Sequence, residues 1–329
     1  MKKISVTLGI DIGGTNTVFG FIDKNANCLW SDQVKTRLHR TAQDLFKDIF
    51  SRIDATLKDQ SNLDLVGIGV GAPNGNYYTG WVEEAPNLPW KNADIATLAR
   101  KHYNIPTALT NDANAAAIAE LKYGAARGMK HFIEITLGTG LGSGLVVDGK
   151  IVYGHSGYAG ELGHTIVKRG GRQCSCGRKG CLETYVSATG LKRTVFELLA
   201  NQNYESTLSK IDFSTLTAHQ VFLEAKKGDA LAIKAFEITG TILGDALANA
   251  VTYLSPEAVI LFGGLVGAGD LLLKPTRLSF EQNVLNVFKN TVKIIPSALD
   301  LNNAAILGAG ALIWNELNNG KLHTENLAK

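Results

Sequence analysis

The stretch Ile4-Ser5-Val6-Thr7-Leu8-Gly9-Ile10-Asp11-Ile12-Gly13-Gly14-Thr15-Asn16-Thr17-Val18-Phe19-Gly20-Phe21-Ile22-Asp23 decides the fold. Val6, Leu8, Ile10 and Ile12 alternate with their neighbours, and Thr17, Phe19 and Phe21 do so again, which reads as two strands about a glycine turn. Asn25-Ala26-Asn27 reads as the next turn and Cys28 to Lys35 as a third strand. The pattern then returns. Ile135-Thr136-Leu137-Gly138 stands 125 residues after Ile10-Asp11-Ile12-Gly13, and the same offset carries Asp23 to Asp148. Two chance hairpins in a glycine-rich chain would look like this. So would two similar halves facing each other across a cleft, each contributing one hairpin loop.

Outward from these hairpins the chain alternates strands and helices. Leu45, Ile49, Ile53 and Leu57 recur every four residues, as on one face of a helix. Leu65 to Val70 is a buried-strand run ending in the loop Gly71-Ala72-Pro73-Asn74-Gly75. Thr107–Thr110 runs as a strand into a helix over Asp112–Tyr123, and Phe132–Leu137 runs into the second glycine turn. Helices dominate after Leu182, and a strand over Val259–Phe262 meets Gly263-Gly264. The expectation is an α/β chain of two domains: a small one over residues 1–115 plus a C-terminal segment, 304–329, and a larger one over residues 116–303.

Composition narrows the function. In 329 residues, 33 Lys+Arg stand against 30 Asp+Glu, a net charge of +3. That balance offers nucleic acid or an anionic membrane no electrostatic handle. The run after Met1-Lys2-Lys3 is interrupted by Asp11 and Gly13-Gly14 and reads as no signal peptide. The most apolar stretch, about Asp229 to Leu254, carries Lys234, Glu237 and Asp245 and reads as no membrane span. Four cysteines, three within eight residues, suit a metal knot in a reducing cytoplasm better than a disulfide framework.

Asp11, Gly13, Gly14, Thr15 and Asn16 combine a carboxylate, two glycines and small polar side chains on a hairpin. Such glycines let backbone N–H groups face a phosphate. A carboxylate beside the loop would repel that phosphate unless a cation lies between them, so Asp11 predicts Mg²⁺. An ordinary hairpin turn with an exposed Asp is the competing reading. Gly138-Thr139-Gly140 opens a second loop. Its G-x-G-x-x-G-like spacing is followed by a strand rather than the helix that a dinucleotide site requires.

His164, Cys174, Cys176 and Cys181 form H-x9-C-x-C-x4-C, a complete tetrahedral donor set for structural Zn²⁺; free thiols or a redox pair are the alternative. Glu161 and Glu183 flank this knot without being needed as ligands. Surface glutamates are common, but two acids beside one metal loop suggest acceptors for the vicinal hydroxyls of a sugar, with the second nitrogen of His164 available to help. Asn111-Asp112 stands where a strand meets a helix. Either residue can cap that helix, and Asp112 can also accept a hydroxyl proton in phosphoryl transfer.

With these residues, the chain resembles the ROK family (repressors, open reading frames, kinases) within the actin, hexokinase and heat-shock ATPase group. The likeness runs from about Ile4 to Leu312, on Asp11-x-Gly13-Gly14-Thr15, Asn111-Asp112, Glu161-x-Gly163-His164 and Cys174-x-Cys176-x4-Cys181-x-Glu183. It implies a two-domain actin-like (ribonuclease H-like) α/β fold with an interdomain cleft and a structural zinc loop. It further implies that Asp11, Gly13, Gly14, Thr15, Asn16 and Gly138–Gly140 meet ATP, with Gly263-Gly264 near the adenosine. Gly75, Asn87, Asn111, Asp112, Glu161, His164 and Glu183 would line a hexose site, with Asp112 as base for the 6-hydroxyl. Asn16 departs from the Lys that many members carry. Repressors of the family carry a DNA-reading domain before the Asp-Gly-Gly-Thr strand, and only ten residues precede Asp11 here, so a kinase without nucleic-acid binding is expected. Ala85-Pro86-Asn87-Leu88-Pro89-Trp90 looks like the glucokinase form of the sugar-side loop. The expectation is an ATP-, Mg²⁺- and Zn²⁺-containing cytoplasmic glucokinase, a homodimer like its relatives. Fructose, mannose, N-acetylglucosamine or N-acetylmannosamine are the alternative substrates, and a non-catalytic sugar sensor is the alternative of another class.

Overall fold

The computed structural model describes residues 3–85, 87–201, 204–300 and 304–318. Pro86 of the proposed sugar-side loop and the end of the expected small domain, after residue 318, lie outside the described residues. In chain order the elements are β1 (Ile4–Ile12), β2 (Thr17–Asp23), β3 (Cys28–Val34), α1 (Ala42–Asp59), β4 (Leu63–Ala72), β5 (Trp81–Val82), β6 (Ala93–Asp94), α2 (Ile95–Tyr103), β7 (Thr107–Asn111) and α3 (Asp112–Tyr123). Then follow β8 (Phe132–Leu137), β9 (Leu141–Val147), β10 (Lys150–Ile151), α4 (Ala188–Asn201), α5 (Ala218–Lys226), α6 (Ala230–Leu254), β11 (Ala258–Phe262), α7 (Asp270–Asn283), β12 (Lys293–Pro296) and α8 (Ala304–Asn318).

Two five-stranded sheets carry the fold, in the orders β3-β2-β1-β4-β7 and β10-β9-β8-β11-β12. In the first, β1 runs antiparallel to β2 and parallel to β4, which runs parallel to β7. In the second, β8 runs antiparallel to β9 and parallel to β11, which runs parallel to β12. The 125-residue echo is therefore a repeat of topology, with β1-β2 and β8-β9 as equivalent hairpins.

The first unit takes in Met1–Gly128, Ile151–Ala159 and Ala298–Lys329. Its helix α1 begins where the Thr41 side chain accepts from Asp44 N, satisfying an amide that the first turn leaves open. It then buries Leu45, Phe46, Ile49, Phe50 and Ile53 in the core with Val6, Leu8, Ile10, Phe19 and Phe21. Helix α8 lies directly on strand backbone. A Cβ at Gly9 would stand 2.2 Å from Ile306 O, and one at Gly69 1.8 Å from Ala309 O, so only glycine permits that approach.

This unit differs from the division expected from sequence at residue 115. Helix α3 belongs to it whole, because Ala115 is seated on α8: a Cβ at Gly308 would lie 2.0 Å from Ala115 O. Residues 151–159 belong to it as well. The Tyr153 ring stacks on Tyr77 at 4.1 Å, Asn76 Nδ2 donates to Ser156 O at 2.9 Å, and the Tyr158 hydroxyl donates to Glu83.

The second unit takes in Met129–Lys150 and Gly160–Ser297. Its core joins Ile133, Ile135 and Leu137 of β8 to Leu231, Phe236, Leu243, Leu247 and Val251 of α6 and to Leu272 and Phe280 of α7. Among the described residues no helix is long and apolar enough to cross a membrane.

Candidate active site and metal centre

In the first unit the β1-β2 hairpin closes with Gly13 N donating to Asn16 O at 3.0 Å. Its tip passes close to the loop between β5 and β6: a Cβ at Gly14 would sit 2.7 Å from Asn87 O and 3.2 Å from Asn87 Cβ. Asp11, near the end of β1, pairs in register with Gly71 of β4. Gly71 also separates the two acids, since a Cβ there would lie 3.7 Å from Asp11 Oδ1 and 3.7 Å from Asp112 Cα. Gly75 rests on Thr110 O of β7, 2.4 Å from where its Cβ would stand. The sequence-derived residues Asp11, Gly13 to Asn16, Gly75, Asn87, Asn111 and Asp112 thus gather at one end of the first sheet.

The two readings of Asn111-Asp112 both hold. Asn111 Oδ1 caps α3 by accepting from Ala113 N at 2.9 Å, and Asp112 Oδ1 accepts from the same N–H at 2.9 Å. Asp112 Oδ2 accepts no protein hydrogen bond among the described residues. Asp112 is open to water, yet the protein around it desolvates the carboxyl enough to push it above the usual carboxylate range, against the Ala113 N–H, which favours the charge. Asp11 is pushed up to about 7, by burial first and then by the charge of Asp112. A desolvated carboxylate beside a second one, with no protein donor among the described residues, has the chemistry of a divalent-cation ligand, because a cation relieves both penalties.

In the second unit the β8-β9 hairpin closes with Gly138 N donating to Gly140 O at 3.0 Å. Its tip is braced by Ala188 N to Gly138 O at 2.9 Å and by the Thr189 hydroxyl to Thr139 O at 2.9 Å. Gly263, at φ 101°, packs beneath it; a Cβ there would stand 2.5 Å from Leu137 O. Glu183 is committed to this hairpin: its Oε2 accepts from Leu141 N at 3.0 Å, and its Oε1 lies 3.7 Å from Cys174 Sγ. Both oxygens of Glu183 therefore have protein neighbours.

His164 ends a short turn that follows Glu161. Its Nδ1 lies 3.7 Å from Cys174 Sγ, and the sulfurs of Cys176 and Cys181 are 3.7 Å apart. All four donor atoms lie within 4.8 Å of one another. Sulfurs held at about 2.3 Å by a tetrahedral ion stand roughly 3.7 Å apart, so the cluster has the dimensions of a zinc site. Burial, and then the neighbouring Cys176 and Cys174, push the Cys181 thiol up to about 12, as expected for thiolates that need a metal to ionise together.

One organising residue was not singled out in the sequence. Arg172 donates bidentately to Glu197 at 2.7 and 2.7 Å, to Thr184 O at 2.7 Å, to Gly190 O at 3.0 Å and to Thr194 Oγ1 at 3.0 Å. Its guanidinium also lies 4.4 Å from the Tyr185 ring centre. It rivets the cysteine loop to α4. The available signal was an arginine inside a glycine-rich metal loop, where a charge needs a partner to be buried.

The sequence profile of the ROK family matches residues 7–316. A glucokinase of Halalkalibacterium halodurans is 35% identical over 94% of this chain and 96% of its own. A xylose repressor of Bacillus subtilis is 29% identical over 95% of this chain and 78% of its own. Among solved structures, a ROK family glucokinase from Streptomyces griseus, in complex with glucose and AMPPNP, superposes with a TM-score of 0.80 at 29% identity, covering 94% of this chain and 99% of that one. The likeness runs through nearly the whole chain rather than through one motif, and the chain belongs to the ROK family.

Proposed function

We propose that this chain is an ATP-dependent hexose kinase that phosphorylates the 6-hydroxyl of glucose. The observation that carries the reading is the pair Asp11 and Asp112, one carboxylate half-buried and one facing water, on either side of Gly71 at the foot of a glycine hairpin, both held above the usual carboxylate range. Asp112 has one oxygen held by the α3 N-terminus and one left over to accept a hydroxyl hydrogen bond. It orients the sugar hydroxyl toward the transferred phosphoryl group and takes its proton late, since the transition state is loose and bond formation lags. Asn111 fixes that geometry by capping α3, and Asn87, against Gly14, offers amide hydrogen bonds to sugar hydroxyls. Asp11 would hold Mg²⁺, which neutralises phosphate charge when bound. His164, Cys174, Cys176 and Cys181 would hold a structural Zn²⁺.

The nucleotide role of Gly263-Gly264 rests on the family resemblance, which also supports the sugar-binding roles of Glu161, His164 and Glu183 and the phosphate role of Gly138–Gly140 read from the sequence. A homodimer rests on the resemblance too, and a cytoplasmic location on three cysteines grouped as a metal knot, which suits a reducing compartment. Glucokinase relatives at 35% and 32% identity support glucose over the other hexoses. Coupled ADP release across glucose, fructose, mannose, N-acetylglucosamine and N-acetylmannosamine tests the reading, with glucose expected to turn over fastest. The xylose-repressor relative favours a second reading, a sugar-sensing regulator; sugar binding with no ADP release from any hexose would select it.

A further inference from the structure

The first hairpin carries no cation of its own: its tip is Gly13, Gly14, Thr15 and Asn16, with Asp11 at its foot. One is held against it by the next connection. After β3 the chain makes a single tight turn over Thr36–Leu38. Thr36 N donates to Thr15 O at 3.0 Å, and the Thr36 and Thr17 hydroxyls share a hydrogen bond of 2.8 Å, both residues fully buried. On the far side His39 N donates to Thr36 O at 3.1 Å, while the imidazole bridges Lys35 O at 3.1 Å and Asp48 at 3.2 Å. The backbone at Arg37 is thus fixed from both directions. From there Arg37 Nε donates to Gly14 O at 3.4 Å, and its two Nη groups have no protein partner among the described residues.

An exposed arginine is ordinarily a solvated charge with a free stem. Here the Nε edge of the guanidinium is held on the hairpin while its two Nη groups are left open, the arrangement that suits two-pronged recognition of an oxyanion. We propose that Arg37 is a phosphate-binding residue, whose guanidinium grips the phosphate chain of the nucleotide at the edge of the first hairpin. The identity of that anion as a nucleoside triphosphate rests on the kinase reading; the presence of an anion grip does not.

Equilibrium binding of ATP, ADP, AMP and adenosine to the full chain, wild type against Arg37→Ala and Arg37→Lys, tests this. Arg37→Ala is expected to weaken ATP roughly ten- to a hundredfold, to weaken AMP less and to leave adenosine unchanged. Arg37→Lys keeps the charge without the fork and should recover part of the loss. Unchanged ATP affinity in Arg37→Ala overturns the proposal. Equal losses for ATP and adenosine also overturn it, because they mark a structural prop. The affinities are read without turnover, so a wild type that holds ATP but transfers nothing to any hexose counts against the kinase reading alone.

Discussion

The two hairpins share a topology and differ in where they keep their acid. The 125-residue offset sets Asp11 against Thr136 and Gly9 against Glu134. In the second hairpin the acid is fully buried and accepts from the Thr136 hydroxyl at 2.7 Å. The equivalent place in the first is a glycine, which lets α8 lie on the strand. The first hairpin's acid stands two residues further along, at the open end and, among the described residues, without a protein donor. The second hairpin is braced at its tip by Glu183 and the start of α4; the tip of the first is left to the Asn87 loop and Arg37. A duplicated scaffold has thus been finished in two ways. One copy keeps its acid inside, on a hydroxyl donor of its own strand, and the other sets its acid at the open end, which is where chemistry is expected.

The braced copy can be broken through its metal cluster. Cys176→Ala is expected to lose the metal, a large share of the roughly 10–16 kcal/mol that zinc supplies to small zinc peptides, and glucose affinity with it. Metal content by mass spectrometry, thermal unfolding and titration with each ligand check this; a zinc-free variant with wild-type stability and turnover would show that the loop holds without an ion. The open copy is broken more selectively. Asp112→Asn keeps the α3 cap through Asn111, so stability and ATP affinity should hold while turnover falls between about a hundredfold and ten-thousandfold. Residual turnover within a few-fold of wild type would remove Asp112 from the proton path.

Arg172→Lys sharpens the comparison, because it loosens the brace without touching a metal ligand. Lysine cannot reach Glu197, Thr184 O, Gly190 O and Thr194 Oγ1 at once, and leaving buried acceptors unpaired should cost about 2 kcal/mol of stability. Urea unfolding measures it. Metal retained at wild-type affinity would mean that the rivet and the ion act independently.

Much of this was legible in the sequence because the signals are local. Alternation about Gly13-Gly14 gave β1 and β2, four-residue spacing gave α1, and ligand spacing alone collected the Cys₃His cluster. What was not legible depends on contacts between distant segments. The alanine face of α3 matches any apolar surface, and only its close approach to Gly308 assigns it to the first unit. Residues 151–159 join that unit through Tyr153 on Tyr77 and Asn76 on Ser156, pairs that no periodicity announces. Helix α2 is not announced by periodicity because its nine residues carry a short mixed pattern; its clearest marks are the Asp94 cap on Thr97 N and the left-handed Asn104. At the site, the sequence indicated which acids matter, but not that Asp11 and Asp112 share a neighbour, nor that Glu183 is already bonded.

The smallest expected effect isolates that shared neighbourhood. Asp11 ionises near 3.8 in an unfolded chain and near 7 in the folded one. Between those values the folded state holds the extra proton, so this group's contribution to stability falls as pH rises from about 4 to about 7 and is level above. Asp11→Asn removes the strain and should stabilise the protein without added magnesium by about 1 kcal/mol at pH 8, less than the full shift implies, because the amide must itself be desolvated. The gain should shrink toward zero near pH 4. Added magnesium should reverse the order, stabilising wild type by mass action and leaving the variant behind. Urea unfolding across this pH range, with and without magnesium, reads both trends. A variant that is less stable than wild type at pH 8 without magnesium would mean that Asp11 has found a protein partner and that the first hairpin is as internally satisfied as the second.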